Sequence, residues 1–246
     1  SGDVELNRFH SSILIKDDGL EFLIDCGDGF TRAFLSQNLS FTQNIDKLLI
    51  THFHPDHVAG LPSLLVQMKI NKREKDLTIY CYKNQIDTLT KLLNTYYIFP
   101  NLFPFTINIL PFDTGILHLS KNLKLEIVKN THIKPKLGAI ATDKLDFSSF
   151  SIKISSSSYN VIYTSDIGSS KDLKLFDSKN TKYFITEVTH ISIQELCDVL
   201  STIESNAIVL THLDTKKLAE IFDNIYLSSK IKENKILTAF EGMCLK

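Results

Sequence analysis

The feature that most restricts what this chain can be is the segment His52-Phe53-His54-Pro55-Asp56-His57, which holds three imidazoles and a carboxylate within six residues. Alternate side chains of an extended segment point to the same side, so His52 and His54 are predicted to face one point. Asp56 and His57 follow a proline, where the chain is expected to turn and direct a second pair of side chains at a neighbouring point. A single histidine is more often an ordinary core or surface residue, but this cluster predicts a metal site. Imidazole nitrogens with carboxylate oxygens suit zinc, with iron or manganese as alternatives.

Further ligands are expected just past the ends of other strands, because a site at one edge of a sheet draws on several of them. Four apolar runs are each followed by a metal-competent residue. These residues are His52 after Leu48–Ile50, His132 after Leu125–Val128 and a short polar stretch, Asp166 after Val161–Tyr163, and His212 after Ile208–Leu210. Each pairing alone is weak, but their recurrence predicts one composite site.

The bulk composition indicates an ordinary globular protein. The 246 residues are 43% hydrophobic and 22% charged, with a formal net charge of −1. This charge lacks the basic excess that is typical of nucleic-acid-binding chains. No apolar run approaches the roughly 20 residues that span a bilayer, and the first residues do not resemble a signal peptide. Four cysteines without CxxC spacing, in apolar stretches, indicate buried thiols: Cys26, Cys81, Cys197 and Cys244. We therefore predict a cytoplasmic protein with no membrane partner.

Short β-rich runs recur along the whole chain, with helical patterns between some of them. The strand predictions are Ser12–Ile15, Leu20–Asp25, Lys47–Thr51, Leu77–Tyr82, Thr106–Leu110, Leu123–Val128, Ser149–Ile154, Asn160–Thr164, Lys182–Thr186, Ala207–Thr211 and Lys235–Ala239. The helix predictions are Leu61–Ile70, Gln85–Tyr97, Ser192–Ile203 and Thr215–Leu227. Ser155–Ser158 is predicted to be a hairpin turn, and Ser192 with Glu195 has capping-box spacing. We expect one domain over residues 1–246, with sheets packed face to face and helices outside.

Together these residues resemble the metallo-β-lactamase superfamily along essentially the whole chain. The family's HxHxDH motif corresponds to His52, His54, Asp56 and His57. Its third-strand histidine corresponds to His132, its bridging aspartate to Asp166 and its last histidine to His212. The run Leu23-Ile24-Asp25-Cys26-Gly27 is similar to the strand and turn before the motif, where Asp25 supports the site without being a ligand.

The resemblance implies an α/β (α+β) fold, an αββα sandwich of two packed mixed β-sheets with helices on the outer faces. It also implies two divalent metal ions, zinc first, with manganese or iron as alternatives. His52, His54 and His132 would hold one ion, and Asp56, His57 and His212 the other. Asp166 would bridge them. Two cations roughly 3.5–4 Å apart can activate a shared water and stabilise both oxygens of a phosphoryl displacement.

Three segments resemble the phosphodiesterase branch that includes tRNase Z rather than the antibiotic-degrading lactamases. They are Tyr163-Thr164-Ser165-Asp166, the close Ala239-Phe240-Glu241-Gly242-Met243, and Glu187-Val188-Thr189-His190 before a helix start. The last implies that His190 protonates the leaving group, although the gap between its acidic residue and histidine is shorter than in tRNase Z. The alternative is an ordinary loop histidine near a helix N-terminus.

The implied reaction is attack of a metal-bridging hydroxide on phosphorus, with Asp56 orienting or deprotonating the water and His190 as general acid. Only 33 residues separate His132 from Asp166, too few for the long tRNA-gripping arm that tRNase Z commonly carries there. This favours a small or nucleotide phosphodiester substrate, such as a cyclic nucleotide. The stretch from Tyr96 to Phe105 is either an aromatic wall for a base or, more often for such stripes, core or a dimer contact.

Three alternative functions stay open. One is tRNA 3′ processing with RNA as substrate, and another is hydrolysis of a lactone or thioester by the same metals. The third is a non-catalytic scaffold, which the unbroken ligand set disfavours. Family resemblance also implies a homodimer.

Overall fold

A computed structural model describes residues 8–135, 145–213, 220, 221, 223 and 236–246. The chain divides into two compact units, each described by itself below. The N-terminal unit comprises Gly2–Asp113 with Glu241–Lys246, and the C-terminal unit Thr114–Phe240. A single domain over residues 1–246 stays a prediction.

The N-terminal unit is built on a five-stranded mixed sheet with the order β1-β2-β3-β4-β5. Its strands are β1 (Ile13–Asp17), β2 (Leu20–Ile24), β3 (Lys47–Leu49), β4 (Leu77–Tyr82) and β5 (Ile107–Phe112). The β1–β2 pair is an antiparallel hairpin, and the other pairs are parallel. The carboxyl ends of β2 and β3 therefore meet at one edge, which is where ligand sites of parallel sheets form.

The described residues of this unit form four α-helices: α1 (Phe30–Ser36), α2 (Pro55–Val58), α3 (Leu61–Ile70) and α4 (Ile86–Thr95). The predicted bounds of α3 are confirmed, with Pro62 in its first turn, and α4 is shorter than the predicted Gln85–Tyr97. The sequence analysis missed α1, since its seven residues bury only Phe30 and Phe34 and carry too little periodicity to be recognised.

A fully buried arginine fixes the loop that leads into β3. The Arg73 guanidinium donates to the carbonyl oxygens of Phe41 at 3.1 Å, Asn44 at 2.8 Å and Ile45 at 2.7 Å. Ile45 has a φ of +64°, a conformation that a β-branched residue adopts only under constraint. Arg73 thereby supplies donors that hold this strained loop and set the start of β3.

The C-terminal unit is built on a seven-stranded mixed sheet with the order β12-β11-β10-β9-β8-β7-β6. Its strands are β6 (Gly115–His118), β7 (Lys124–Lys129), β8 (Phe150–Ser155), β9 (Asn160–Tyr163), β10 (Thr181–Glu187), β11 (Ser205–Thr211) and β12 (Ile236–Thr238). Strands β9 to β12 run parallel, and β6 to β9 alternate in direction. Since β7 and β9 both run opposite to β8, the carboxyl ends of β7, β9, β10 and β11 lie at one edge. The sequence analysis missed β6.

Two local predictions in this unit are confirmed. Ser155–Ser158 connects β8 and β9 as an antiparallel hairpin, in which the Ser156 N–H donates to the Tyr159 carbonyl at 2.9 Å. Helix α5 (Ile193–Leu200) begins at Ser192 with a capping box, since Ser192 and Glu195 each bind the other's backbone N–H. The predicted helix Thr215–Leu227 lies almost wholly outside the described residues.

The cysteine prediction holds for three of the four thiols. Cys26, Cys81 and Cys197 are buried, whereas Cys244 is exposed, so its predicted burial is wrong. Cys244 follows β12, the last strand among the described residues.

The aromatic stretch is divided between core and surface. Phe105 is buried and Phe103 packs against the core, which fits the core reading for these two, whereas Tyr97 is 85% exposed. Among the described residues, no helix is long and apolar enough to cross a membrane.

Candidate metal centre

The histidine-rich segment of the N-terminal unit lies at the carboxyl end of β3. His52 follows the strand closely, and His54 is the N-cap of α2, whose first turn contains Asp56 and His57. The ring centroids of His52 lie 4.8 Å from those of His54 and 4.0 Å from those of His57. The alternation of the strand end and the turn at Pro55 thus bring three imidazoles into one cluster, with the Asp56 carboxylate 3.8 Å from His57 Nε2.

A buried carboxylate at the end of the adjacent strand organises this cluster. Asp25 accepts hydrogen bonds from the Thr51 N–H at 2.7 Å, the Thr51 hydroxyl at 2.8 Å and His57 Nδ1 at 2.8 Å. Burial raises the pKa of Asp25, and this outweighs the opposite effect of His57 and of the hydrogen bonds. Asp25 thus binds Thr51 and the predicted ligand His57, and these contacts fit the supporting role that the resemblance implies for it.

These hydrogen bonds determine which nitrogen of each ring can bind a metal. His57 donates its Nδ1–H to Asp25. The Thr51 hydroxyl donates its only hydrogen to Asp25, so its oxygen acts as the acceptor for the Nδ1–H of His52 at 3.1 Å. Both rings therefore carry their lone pair on Nε2, and a carboxylate behind a ligating histidine is the usual orienting partner in metal sites.

A tight turn after β2 is hydrogen-bonded to the backbone of the same segment. The Cys26 N–H donates to the His57 carbonyl at 2.8 Å, and the Gly60 N–H donates to the Cys26 carbonyl at 2.9 Å. A Cβ atom on Gly27 would lie 2.2 Å from the Asp56 carbonyl oxygen, so the turn requires glycine there. The Asp25-Cys26-Gly27 sequence thus fixes the backbone of α2.

In the C-terminal unit, three predicted ligands meet at the common strand edge. The Oδ2 atom of Asp166 lies 3.6 Å from His132 Nε2 and 3.7 Å from His212 Nε2. These distances exceed a hydrogen bond and are close to the roughly 3.3 Å between two ligands of a tetrahedral zinc with bonds of about 2.0–2.1 Å. The donor set and its spacing therefore fit a divalent metal, with Asp166 placed between two imidazoles as a bridging carboxylate is.

A second buried carboxylate, Glu187, stands behind the histidines of this unit. It accepts from the Thr189 hydroxyl at 2.8 Å and from His190 Nδ1 at 2.9 Å. The Thr189 hydroxyl in turn accepts from His212 Nδ1 at 2.9 Å, which leaves the His212 lone pair on Nε2. Burial raises the pKa of Glu187, but the hydrogen bond and charge of His190 more than offset it, and the net pKa is lowered.

His190 lies beside the predicted ligands of its unit. Its ring centroid is 4.6 Å from that of His132 and 5.7 Å from that of His212, and its side chain is 36% exposed. Glu187, His190 and His212 are close enough to suggest another metal group. Their hydrogen bonds instead account for the spacing, because Nδ1 of each ring is already engaged by Glu187 or Thr189.

The sequence analysis did not single out the threonines that orient these rings. A signal was available, since threonine directly precedes each of the four strand-end histidines. These pairs are Thr51-His52, Thr131-His132, Thr189-His190 and Thr211-His212. Three of the four hydroxyls donate to a buried carboxylate: Thr51 to Asp25, Thr131 to Asp172 and Thr189 to Glu187. The seven-residue ligand set itself stays a prediction, supported by the geometry within each unit.

Comparison with known proteins identifies relatives along most of the chain. The family model of the anti-Pycsar protein Apyc1 matches residues 2–226. Ribonuclease Z of Metallosphaera sedula is 30% identical over 143 residues, which are 58% of this chain and 46% of that protein. Ribonuclease Z of Pyrococcus abyssi is 35% identical over 142 residues, 58% of this chain and 45% of that protein. The chain thus matches rather less than half the length of these curated relatives.

Solved structures with the same fold cover nearly all of the chain. YhfI of Bacillus subtilis, a metallo-β-lactamase fold protein, has a TM-score of 0.72 and 18% identity, covering 97% of this chain and 92% of its own. The Zn²⁺-bound PqqB of Methylobacterium extorquens has a TM-score of 0.70, 12% identity and coverages of 97% and 88%. The short form of human tRNase Z has a TM-score of 0.67, 16% identity and coverages of 97% and 93%.

These matches confirm the resemblance inferred from the histidine-rich segment. Two mixed β-sheets with helices, together with the fold of these neighbours, confirm the predicted metallo-β-lactamase fold class. The curated relatives are ribonucleases Z, which fits the predicted class of metal-dependent hydrolase. Members of this fold use divalent metals, and the donor clusters of both units are of the matching type.

Proposed function

The chain belongs to the Apyc1 family of anti-Pycsar proteins, and from this premise we propose that it is a two-metal phosphodiesterase that hydrolyses a cyclic nucleotide. The family match includes every predicted metal ligand, from His52 to His212. The observation that carries the proposal is that, in each unit, one buried carboxylate orients two imidazoles at a sheet edge. Such preorganisation is typical of metal sites.

The proposed ligand assignment follows the family resemblance. By that resemblance, His52, His54 and His132 would hold one ion, Asp56, His57 and His212 would hold the other, and Asp166 would be shared between them. The Nε2 lone pairs of His52, His57 and His212 support this assignment, since each ring has Nδ1 engaged behind it. Zinc fits the mixture of imidazole and carboxylate donors, with manganese or iron as the alternatives.

When bound, the two cations lower the pKa of a coordinated water and neutralise charge that develops on the phosphoryl oxygens. The chain's own residues then orient the reactants. The Asp56 carboxylate, mostly buried at the start of α2, orients the attacking water by accepting a hydrogen bond from its O–H group. An acceptor in this place keeps the water oxygen directed at phosphorus.

His190 supplies the proton for the leaving oxygen. The alkoxide that leaves a cyclic nucleotide is a strong base, so its departure depends on protonation. Glu187 accepts the Nδ1–H of His190 at 2.9 Å and stabilises the imidazolium, which directs Nε2 and its proton outward. The partial exposure of the His190 ring leaves that proton accessible to a substrate.

A substrate panel tests the proposal. The purified protein, loaded with Zn²⁺ or Mn²⁺, is offered purine and pyrimidine 3′,5′-cyclic nucleotides, bis-p-nitrophenyl phosphate, a pre-tRNA and a homoserine lactone. We expect ring opening of at least one cyclic nucleotide to a linear monophosphate, detected by chromatography. Turnover of the lactone alone, or of the pre-tRNA alone, overturns the proposal.

His190→Ala separates the acid role from a general loss of structure. The loss of kcat should be large on the cyclic nucleotide and small on bis-p-nitrophenyl phosphate, whose leaving group is a weak base. An equal loss on both substrates removes the acid role. Gln194→Ala is the control, because Gln194 is an exposed residue of helix α5 whose side chain hydrogen-bonds Asp198 on the same helix.

A second candidate is tRNA 3′ processing, favoured by the ribonuclease Z relatives. Those matches span less than half of each relative, and the short separation of His132 and Asp166 leaves little room for a tRNA-gripping arm. Cleavage of the pre-tRNA without hydrolysis of any cyclic nucleotide would establish this function instead. The homodimer stays a prediction. Light scattering of the purified protein would test it by measuring the molecular mass in solution.

A further inference from the structure

Asn130 connects the two C-terminal ligand segments that the sheet itself does not join. It follows β7, two residues before His132, and is only 4% exposed. Strands β7 and β9 are separated by β8, so their carboxyl ends are two strand spacings apart, roughly 9–10 Å. No β-ladder hydrogen bond can therefore couple His132 to Asp166 directly.

The Asn130 amide reaches across this gap in both directions. Its Nδ2 donates to the Asp166 carbonyl at 2.9 Å and to the Thr164 carbonyl at 3.3 Å. Its Oδ1 accepts the His132 N–H at 3.2 Å and the Ser149 hydroxyl. Because a backbone carbonyl only accepts and a backbone N–H only donates, the amide has a single orientation that satisfies these partners.

The two carbonyls that Asn130 holds flank a strained residue. Ser165 has a φ of +53°, in the left-handed region that most residues with a side chain avoid. This turn directs Asp166 out of β9 and towards His132. Nearby, the Ser151 hydroxyl donates to the Thr164 carbonyl at 2.6 Å, so the turn is held from β8 as well. A strained turn persists only where neighbouring contacts determine it.

We propose that Asn130 is a positioning residue that sets the 3.6 Å separation of His132 Nε2 and Asp166 Oδ2, and through it the affinity of the centre for metal. The inference rests on the proposed function in one respect, namely that these two side chains are ligands. Asn130 contacts neither metal nor substrate; it acts through the backbone on both sides of the ligand pair.

Asn130→Asp is the most direct test, because it is isosteric and keeps the Oδ1 acceptor for His132. The second carboxylate oxygen replaces the Nδ2 donor and faces the carbonyls of Thr164 and Asp166, which it repels. The Ser165 turn then relaxes, and the ligand pair moves apart. Removing a group that orients metal ligands typically lowers metal affinity about 10- to 100-fold.

Asn160→Asp is the matched control. Asn160 is the first residue of β9, at the opposite end of the strand from Asp166, and its Nδ2 donates to the Asn180 carbonyl at 3.3 Å. The same chemical change is thus made in the same strand, with the loss of a similar hydrogen bond. Metal affinity in this variant should stay within two-fold of the wild type.

The readouts are Zn²⁺ affinity by chelator competition, the visible spectrum of the Co²⁺-loaded protein, and the thermal midpoint in EDTA. We expect weakened Zn²⁺ binding and an altered Co²⁺ spectrum in Asn130→Asp alone, with kcat on the cyclic nucleotide recovering at excess metal. Rescue by metal is not expected of a merely unstable variant. The metal readouts need no substrate, so a wild type that hydrolyses no cyclic nucleotide sinks the proposed function and leaves this test intact.

Asn130→Ala is the second variant, since it adds no charge and leaves space for water at the two carbonyls. Unchanged Zn²⁺ affinity in both Asn130 variants overturns the inference. An equal loss in Asn160→Asp does so too, because the effect would then be general. Failure of both Asn130 variants to fold would show a folding role and equally refute the proposal.

Discussion

Replacing Asp25 by asparagine tests whether a buried carboxylate orients the proposed metal ligands of the N-terminal unit. The wild-type carboxylate accepts three hydrogen bonds, two from Thr51 and one from His57. Asparagine has the same shape but only one acceptor atom. If its Oδ1 serves the Thr51 hydroxyl and His57, its Nδ2 faces the Thr51 N–H, and two donors confront each other.

The magnitude follows from that single mismatch. Loss of a hydrogen bond to a charged acceptor costs about 1.5–3 kcal/mol, and the Thr51 N–H left unsatisfied in a fully buried position adds about 1–3 kcal/mol. We expect Asp25→Asn to be destabilised by about 2.5–6 kcal/mol, the sum of these two ranges. The weaker hold on His57 should also lower Zn²⁺ affinity about 10- to 100-fold, as is typical when an orienting carboxylate is removed.

Denaturant unfolding in EDTA measures the first quantity, and chelator competition on the folded protein measures the second. Asp46→Asn is the matched control. Asp46 lies just before β3, at the end of the strand opposite to His52, and its carboxylate accepts the Glu21 N–H at 2.8 Å. An asparagine Oδ1 can still accept that hydrogen bond. Its metal affinity should equal that of the wild type. The reasoning is refuted if Asp25→Asn binds Zn²⁺ as tightly as Asp46→Asn does.

Three further predictions concern the stability of the two units. Arg73→Lys should destabilise the protein by about 3 kcal/mol or more, measured by denaturant unfolding. A single ammonium group cannot donate to all the carbonyl oxygens that the guanidinium binds. A loss below about 1 kcal/mol would contradict this prediction. Gly168→Ala should cost about 1–3 kcal/mol by the same measurement, because the added Cβ would lie 2.0 Å from the Thr131 carbonyl oxygen, and an unchanged midpoint would show that the contact relaxes freely. Burial raises the pKa of Glu21, but its hydrogen bonds and the Lys16 charge outweigh that effect, so the pKa is lowered from its ordinary value of 4.5. The ionised Glu21 side chain therefore stabilises the folded protein at pH values above 4.5. This stabilisation is lost as the pH falls through the folded-state pKa. The difference in unfolding free energy between wild type and Glu21→Gln should therefore shrink on acidification below about pH 4.5, and a constant difference would refute it.

Much of the fold could be predicted because its signals are local. The parallel strands β3 and β4 are apolar runs with little exposure, which is what a sheet covered on both faces requires. The histidine-rich segment is equally local, since strand, proline and short helix are contiguous in sequence. The α5 start was predictable from Ser192 and Glu195 for the same reason.

The parts that sequence reasoning missed depend on distant residues. Nothing near Ile45 shows that its strained conformation is held by Arg73, 28 residues later. Likewise, Asn130 reads as an ordinary polar residue after a strand until the Asp166 carbonyl, 36 residues away, is placed beside it. The left-handed conformations of Asp25, Ser165 and His212 are a further example, because none of these residues is glycine. Such backbone strain occurs where tertiary contacts override local preference, and functional sites are where it concentrates.

The two buried carboxylates, Asp25 and Glu187, orient their histidines through the same pattern of hydrogen bonds. Asp25 binds one histidine directly and reaches a second through Thr51; Glu187 binds His190 directly and reaches His212 through Thr189. A hydroxyl that has donated its proton to a carboxylate can only accept from the next ring, so it fixes the tautomer without bringing full charge to it. A directly bound carboxylate does add that charge. In the proposed mechanism, the directly bound ring of the C-terminal unit, His190, is the proton donor, and the Glu187 charge beside it stabilises the imidazolium that donates. The threonine-linked His212 is a proposed ligand, oriented without that charge. In the N-terminal unit the directly bound His57 and the threonine-linked His52 are both proposed ligands, so the hydroxyl sets the tautomer in both units, and the proposed division of tasks between the two rings is confined to the C-terminal unit.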